Sequence, residues 1–515
     1  MIALARQIAA EMTADLRKEL AYAQLKIQVL EERLRQALID KYGKPSEKLS
    51  DLQLSLLEGE PGVSNEEVQA ESEREPINPP SEQQPSEGTD SDAKPKRKRS
   101  GRQSLPAHLP RVEKIICCVG EQCTCSQCGE ATAVIGYEES EVLDVRPAEY
   151  FVTVVKREKR ACKACVEHGV TVAPVAERII PKSMVSDQIV INTIVAKYAD
   201  SLPLYRQSVM LKRDAGIEIA RSTLDFWVMH VGQLLEPIAG AMRRELIEGR
   251  YIQADETPVK VQTDSVKGAD HQGYLWQYGR PGSGVVFEFR MGREREGPKQ
   301  FLAQFNGILQ TDGYRAYDRV GGPKMVHAAC LAHARRKYIE AVKLDAKDHA
   351  SARIVALMDE LFAIDARARE QQMTLDERHL LRSEQAPALL DRLRAAIFAA
   401  QKNVLPKSAA GKAASYTLAL WNKLTLFLKY PELELSNNLA ENSMRPVAIG
   451  RKNWIHIGSP AAGPKIAAIL SVVESCRRLG LPVRQYLGDV MPGLANRSIQ
   501  SLAGLTPNAY KAARA

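Results

Sequence analysis

No apolar run in the 515-residue sequence approaches the roughly 20 residues that a membrane-spanning helix needs. The N-terminus, MIALARQIAAEMTADLRKEL, meets charges too early to be a secretory signal. Cysteines number nine, and most lie between Cys117 and Cys165, which argues against a secreted disulfide scaffold. Internal repeats are lacking too. A soluble chain in a reducing, cytoplasmic compartment is therefore expected. Its length is too great for one core and suggests roughly three to four modules. Surplus charge is small, at +8, but residues 58–92 carry eleven acids and one arginine, so the remainder is considerably more basic. A basic body suits a polyanion partner; a merely solvated basic surface is the alternative.

What is present divides the chain. Over residues 1–50, Leu16, Leu20, Ala23, Ile27, Leu30, Leu34 and Ala37 alternate steps of four and three. That is heptad spacing, and Gly43 with Pro45 ends it. It predicts a coiled-coil helix, with an amphipathic helix packed on its own chain as the alternative. Residues 51–100 are poor in apolar side chains, acidic and then basic (KPKRKRSGR), and should be a disordered linker. The basic run tracks DNA phosphates or is only a solvated tether. Residues 101–180 are β-rich, with segments such as YFVTVVKREKR, and 181–245 read as helices. Short strands recur over 246–344, 345–430 read as a helical insertion, 431–480 hold a further helix start, and 481–515 form a C-terminal region.

Cys125-Ser-Gln-Cys128 and Cys162-Lys-Ala-Cys165 make two CxxC knuckles separated by 33 residues, with Gly129 and Gly169 close behind. Four thiolates in two knuckles suit tetrahedral, structural Zn²⁺. The gap exceeds the common spacing of about 15–20 residues, but a small sheet can fill it. Cys123 is an alternative to Cys125, and Cys117, Cys118 and His168 are spare candidates. In LPLYRQSVMLKRDAGIEIARSTLDFWV, a helix breaks at Gly216 and a second begins near Ser222, a suitable N-cap. A helix–turn–helix would bring Arg221 and Ser222 to a DNA groove. A supporting helical hairpin is the alternative.

Three acids stand out: Asp255 in YIQADETPVKV, Asp312 in ILQTDGYRAYD and Glu441 in LSNNLAENSMRP. The first two close strand-like apolar runs, and the third opens a helix. Two strand-end Asp and a helical Glu form the carboxylate set that holds two hard cations acting on phosphodiesters. Successive strand residues face opposite ways, so Asp255 rather than Glu256 is the candidate, with Thr257-Pro258 closing the strand. Thr-Asp-Gly is also good turn chemistry, and Asn438 with Glu441 also fits a capping box. In this order, however, the three reproduce an RNase H-like layout. Cys330 and His333 form a Cys-x2-His pair, either packed or metal-binding. Arg335, Arg336 and Lys337 on a helix start are a candidate phosphate clamp, and Arg445, Arg451 and Lys452 add positive charge beyond Glu441.

Together these segments resemble the transposases of the insertion-sequence 66 family, a group of bacterial DDE transposases. The resemblance runs through GKPSEKL, GRQSLPAHLPRVE, the CxxC knuckles, QADETPVKV, TDGYRAY, CLAHARRKY, NNLAENSMRPVAIGRKNWIHIGS and ESCRRLGLPVRQYL. Ser201, His456 and the ending LTPNAY depart from the family pattern. The resemblance implies a multidomain α+β protein. Its parts are an N-terminal coiled-coil helix, a four-cysteine zinc module, a helical DNA-binding region and an RNase H-like α/β catalytic core with a helical insertion. It also implies a catalytic triad of Asp255, Asp312 and Glu441 holding two Mg²⁺ or Mn²⁺ ions. The implied activity is cleavage and strand transfer of element terminal inverted repeats into target DNA, on the bacterial nucleoid. A homodimer or higher oligomer and accessory proteins of the same element are the implied partners.

A non-catalytic DNA-binding regulator and a structure-specific nuclease on the same fold are the alternative functions. For the zinc module, Cys128→Ser and Cys165→Ser are each expected to abolish bound zinc in metal analysis. Retention of zinc by either variant would exclude that cysteine as a ligand.

Overall fold

The structure, a computed structural model, describes residues 150–161, 170–263, 270–345 and 347–514, together with Arg17, Leu20, Gln24, Ile27 and Leu34. The linker, the basic run and all the candidate zinc cysteines lie outside the described residues. So does most of the heptad segment, but Leu20, Ile27 and Leu34 are helical and more than half exposed. Contacts divide the chain into two units, Glu82–Val155 and the remainder. In the first, residues 150–155 are exposed and without regular structure.

In the second unit, β1 (Lys159–Ala161) pairs antiparallel with β2 (Val170–Val172). The expected strand YFVTVVKREKR is thus only a short one at its end, since residues 150–158 form no ladder. Helices α1 (Asp187–Tyr198), α2 (Leu204–Ala215) and α3 (Arg221–Ile247) follow. Next come β3 (Tyr251–Gln262), β4 (Asp270–Gly279), β5 (Val285–Arg290), α4 (Glu296–Leu302), β6 (Ile308–Thr311) and β7 (Val326–Ala329). Then α5 (Leu331–Leu344), α6 (His349–Glu370), α7 (Leu375–Asn403), α8 (Ala409–Ala419) and α9 (Trp421–Leu424) intervene without a strand. The chain closes with α10 (Asn438–Trp454), β8 (His456–Ile457), α11 (Ala462–Leu479), α12 (Val483–Val490) and α13 (Pro507–Ala512).

The larger sheet is mixed, in the order β5-β4-β3-β6-β7. β3 runs antiparallel to β4 and parallel to β6. β8 adds a short parallel pairing at Lys260 and Val261, so strand structure returns after Glu441, where the residue pattern shows little sign of it. Alternation along the central strands feeds two cores. Ile252, Ala254 and Leu309 enter one core with α3, α11 and β5. Tyr251 and Ile308 enter the other with α5, α6, α7 and α8.

Close approach of α3 and α11 relies on Gly232, where a Cβ would lie 2.8 Å from the Lys465 carbonyl oxygen. α11 also covers the edge strand β5. Its Ser471 and Ser475 hydroxyls accept from the backbone N–H groups of Phe287 and Val285, both at 2.8 Å. An edge so occupied is protected from pairing with another chain.

In the helical part, α7 opens on a capping box in which Thr374 and Glu377 satisfy each other's backbone N–H groups. Asp365 is the ionic centre, bonded by Arg382 at 2.6 and 2.8 Å and by Arg378 at 2.8 Å. Burial pushes its carboxyl up, but the two guanidiniums outweigh that and hold it at about 2. Its stabilising contribution is therefore complete above the ordinary carboxylate range and is lost as pH falls toward 2. Asp365→Asn leaves two buried arginines short of a partner and is expected to cost about 3–5 kcal/mol. Denaturant unfolding of the full chain measures it, and a loss below about 1 kcal/mol contradicts this role.

Candidate active site

The parallel register pairs Gln253 of β3 with Gln310 of β6. Two residues further along the chain stand Asp255, inside β3 and on the same face as Gln253 by the two-residue period, and Asp312, one residue past the end of β6. Asp255 does not close its strand as the sequence suggested. It lies inside β3, which continues through Pro258 to Gln262 while its neighbour β6 stops at Thr311. Pro258 is tolerated because its missing N–H falls on the side away from β4, where Arg451 bonds its carbonyl at 2.7 Å. Glu256 faces the opposite way. It accepts hydrogen bonds from Arg293 and from the Tyr317 hydroxyl, the latter at 2.6 Å.

Asp312 sits in the turn that Thr-Asp-Gly predicts. Its Oδ1 accepts the Tyr314 N–H at 2.7 Å, and Gly313 adopts φ +93° beside Leu420. Beneath the turn, the Thr311 hydroxyl, His327 and Asp318 form a chain of 2.8 Å contacts. Burial and Lys423 lower His327 to about 4, so the ring is neutral. The Tyr416 hydroxyl of α8 donates to the Asp312 carbonyl.

Glu441 reaches the site from the first turn of α10. The start of α10 is fixed by β3 itself: Gln253 donates to the Ser436 carbonyl and Asn437 donates to the Ala254 carbonyl, both at 3.0 Å. Asn437, not Asn438, is the N-cap residue, and it forms no side-chain cap. The capping-box reading of Glu441 therefore fails. Its Oε2 instead lies 3.1 Å from Arg336 Nη2, and its Oε1 lies 3.5 Å from His333 Nδ1. That Oε1 is buried without a hydrogen bond.

Burial, then the charges of Glu441, Glu256 and Asp312, hold the Asp255 carboxyl well above the usual carboxylate range. The three acids are thus electrostatic neighbours although 57 and 129 residues separate them along the chain. Hard oxygen donors, an unbonded Glu441 oxygen and crowded negative charge suit a divalent cation. Among the described residues no three His, Cys, Asp or Glu side chains surround a common point. Glu441 faces Arg336 and His333.

The other expected site residues divide. Arg335 is 5% exposed and bidentate on Asp359 at 2.6 and 3.1 Å, so it joins α5 to α6 and is not part of a phosphate clamp. Lys337 lies over the Tyr416 ring at 4.6 Å. Arg451 is committed to Thr257 and Pro258, Arg445 is half-buried, and Lys452 is exposed. Arg221 and Ser222 are exposed in the first turn of α3. The N-cap there is Ala220 rather than Ser222. With Leu204 and Asp225 they line an open hollow of about 460 Å³ that none of the three acids touches. Further along, α3 buries Leu224, Trp227, Val228, Val231, Leu235 and Ile238 as a supporting helix. Cys330 is buried, its Sγ accepts the Asn437 backbone N–H at 3.1 Å, and burial pushes its thiol up to about 12. Sequence reasoning missed Arg293, Tyr317, Tyr416 and Asn437, whose partners are distant in the chain.

Family models match three stretches of the chain. Residues 182–465 match the model described as "Transposase IS66 family". Residues 122–166 match "zinc-finger binding domain of transposase IS66", and 29–113 match "Transposase C of IS166 homeodomain". Among curated relatives, uncharacterized protein y4jD of Sinorhizobium fredii (strain NBRC 101917 / NGR234) is 32% identical over 79% of this chain and 82% of its own. Uncharacterized protein y4qI of the same strain is 30% identical over 78% of this chain and 76% of its own. The chain belongs to the IS66 family of transposases.

Proposed function

We propose that this chain cleaves the ends of its insertion sequence and joins them to target DNA, with Asp255, Asp312 and Glu441 holding Mg²⁺ or Mn²⁺ in an RNase H-like core. The parallel pairing of β3 with β6, which leaves Asp255 within β3 and Asp312 in the turn just past the end of β6, carries this reading. Further support comes from the strand order, in which β3 is central with two antiparallel strands on one side and two parallel strands on the other. When bound, the cations supply Lewis acidity to the attacking and leaving oxygens of an in-line displacement. The protein's part is to aim the three carboxylates; burial opposes ionisation of Asp255, and a bound cation would favour it. Arg221, Ser222, Lys337, Arg445 and Lys452 are the groups proposed to meet DNA. Arg336 and Arg451 are engaged within the chain, at Glu441 and at Thr257 and Pro258.

Zn²⁺ on Cys125, Cys128, Cys162 and Cys165 would organise the zinc module, over which residues 122–166 match a zinc-finger family model. The exposed helical Leu20, Ile27 and Leu34 suit a coiled coil with a second copy, as synapsis of two DNA ends requires.

Asp255→Asn, Asp312→Asn and Glu441→Gln are each expected to reduce Mg²⁺-dependent end cleavage and joining by more than about 100-fold, since even outer-shell changes at metal sites cost 10–100-fold. DNA retention in gel shifts should stay near that of the native chain. Undiminished activity in any variant removes that residue from the site. Cleavage without joining identifies a nuclease, and metal-independent binding with no product identifies a regulator.

Asp255 must be ionised to hold a cation, and its carboxyl is raised. The acid limb of the rate profile is therefore expected above the ordinary carboxylate range, with activity falling as pH drops through it. Added Mg²⁺ should move that limb to lower pH; a limb insensitive to Mg²⁺ contradicts the assignment.

A further inference from the structure

One face of α5 is spent on the segment that delivers Glu441. Cys330, His333 and Arg336 follow each other at intervals of three, which stacks them along one side of a helix. Cys330 Sγ accepts the backbone N–H of Asn437 at 3.1 Å, and the Leu331 N–H bonds the Leu435 carbonyl at 2.9 Å. His333 Nδ1 faces Glu441 Oε1 at 3.5 Å, and Arg336 Nη2 donates to Glu441 Oε2 at 3.1 Å. Arg335, about 100° around the helix, is fixed on Asp359 and locks the rotation of α5 that turns Arg336 toward Glu441.

We propose that Arg336 is a positioning residue: the counter-ion that holds Glu441 until a divalent cation displaces it. Cys330 fixes the backbone from which Glu441 projects. This rests on the reading of Asp255, Asp312 and Glu441 as a cation site. Without a cation, Glu441 adds a like charge to a site that already holds Asp255 and Asp312. A guanidinium on Glu441 offsets part of that charge and holds the side chain close to the two aspartates' strands. The same guanidinium competes with a cation for the carboxylate oxygens, so it aims Glu441 and weakens cation binding at once. A Cys-x2-His pair that resembles half a metal site thereby has a different task. Cys330 and His333 belong with Arg336 as the socket of the third acid.

Mn²⁺ binding to the full chain, followed by the electron paramagnetic resonance of free Mn²⁺, tests this. Arg336→Gln is expected to bind Mn²⁺ about fivefold more tightly, the ratio that a modest ion pair sets. The Mg²⁺ concentration for half-maximal end cleavage should fall in step, while maximal cleavage falls because Glu441 is no longer aimed. Arg336→Lys keeps the charge at a single point and is expected to lie between Arg336→Gln and the native chain. It carries the test alone if Arg336→Gln does not fold. Mn²⁺ affinity at or below that of the native chain in the folded variants overturns the proposal. Glu441→Gln separates the two levels. If it leaves Mn²⁺ binding unchanged, the cation-site reading fails, whatever Arg336 does.

Discussion

A buried hydrogen-bond network between the two central strands and the chain ahead of α10 holds the candidate site together. Gln253 Nε2 lies 2.8 Å from the Tyr251 hydroxyl, 3.0 Å from Gln310 Oε1 and 3.0 Å from the Ser436 carbonyl, its two hydrogens shared among them. Gln310 in turn donates to the Glu434 carbonyl at 2.7 Å. Both glutamines are at most 1% exposed, where an unpaired amide is costly, so the polar partners specify where residues 434–437 lie. Register, strand pairing and helix delivery are thus fixed by one set of bonds. The same glutamines stand two residues before Asp255 and Asp312.

Around that frame, buried charge is balanced unevenly. In the helical part, Asp365 and Glu434 are fully matched by Arg378, Arg382 and Arg369, and the ions serve as structure. At the three acids the balance is incomplete. Glu441 has Arg336, Asp312 spends one oxygen on its own turn, and among the described residues Asp255 accepts the backbone N–H of Glu256. A carboxyl so poorly compensated is raised by burial and by its neighbours, the pattern expected where a protein stores affinity for a cation.

Much of this was legible in the sequence, for local reasons. Apolar runs before Asp255 and Asp312 marked β3 and β6, Thr-Asp-Gly marked the turn, and Gly216 marked the end of α2, where it takes φ +67°. What was not legible depends on partners far along the chain. Nothing local distinguishes Arg335 from Arg336, yet Asp359 takes the first and Glu441 the second. Cys330 and His333 looked like half a metal site because their partners, Asn437 and Glu441, follow more than 100 residues later. The length of β3 was missed because Thr257-Pro258 reads as a stop. Proline ends a strand only where its N–H is needed, and β6 has already ended there.

The central claim is that Asp255 and Asp312 share a cation with Glu441 close by. Crystals of the full chain grown with Mn²⁺, measured at a wavelength where manganese scatters anomalously, test it most directly. The account predicts an anomalous peak about 2.1 Å from carboxylate oxygens of both Asp255 and Asp312, the distance expected of a hard octahedral ion. Manganese bound elsewhere, with no peak between those two aspartates, would contradict it.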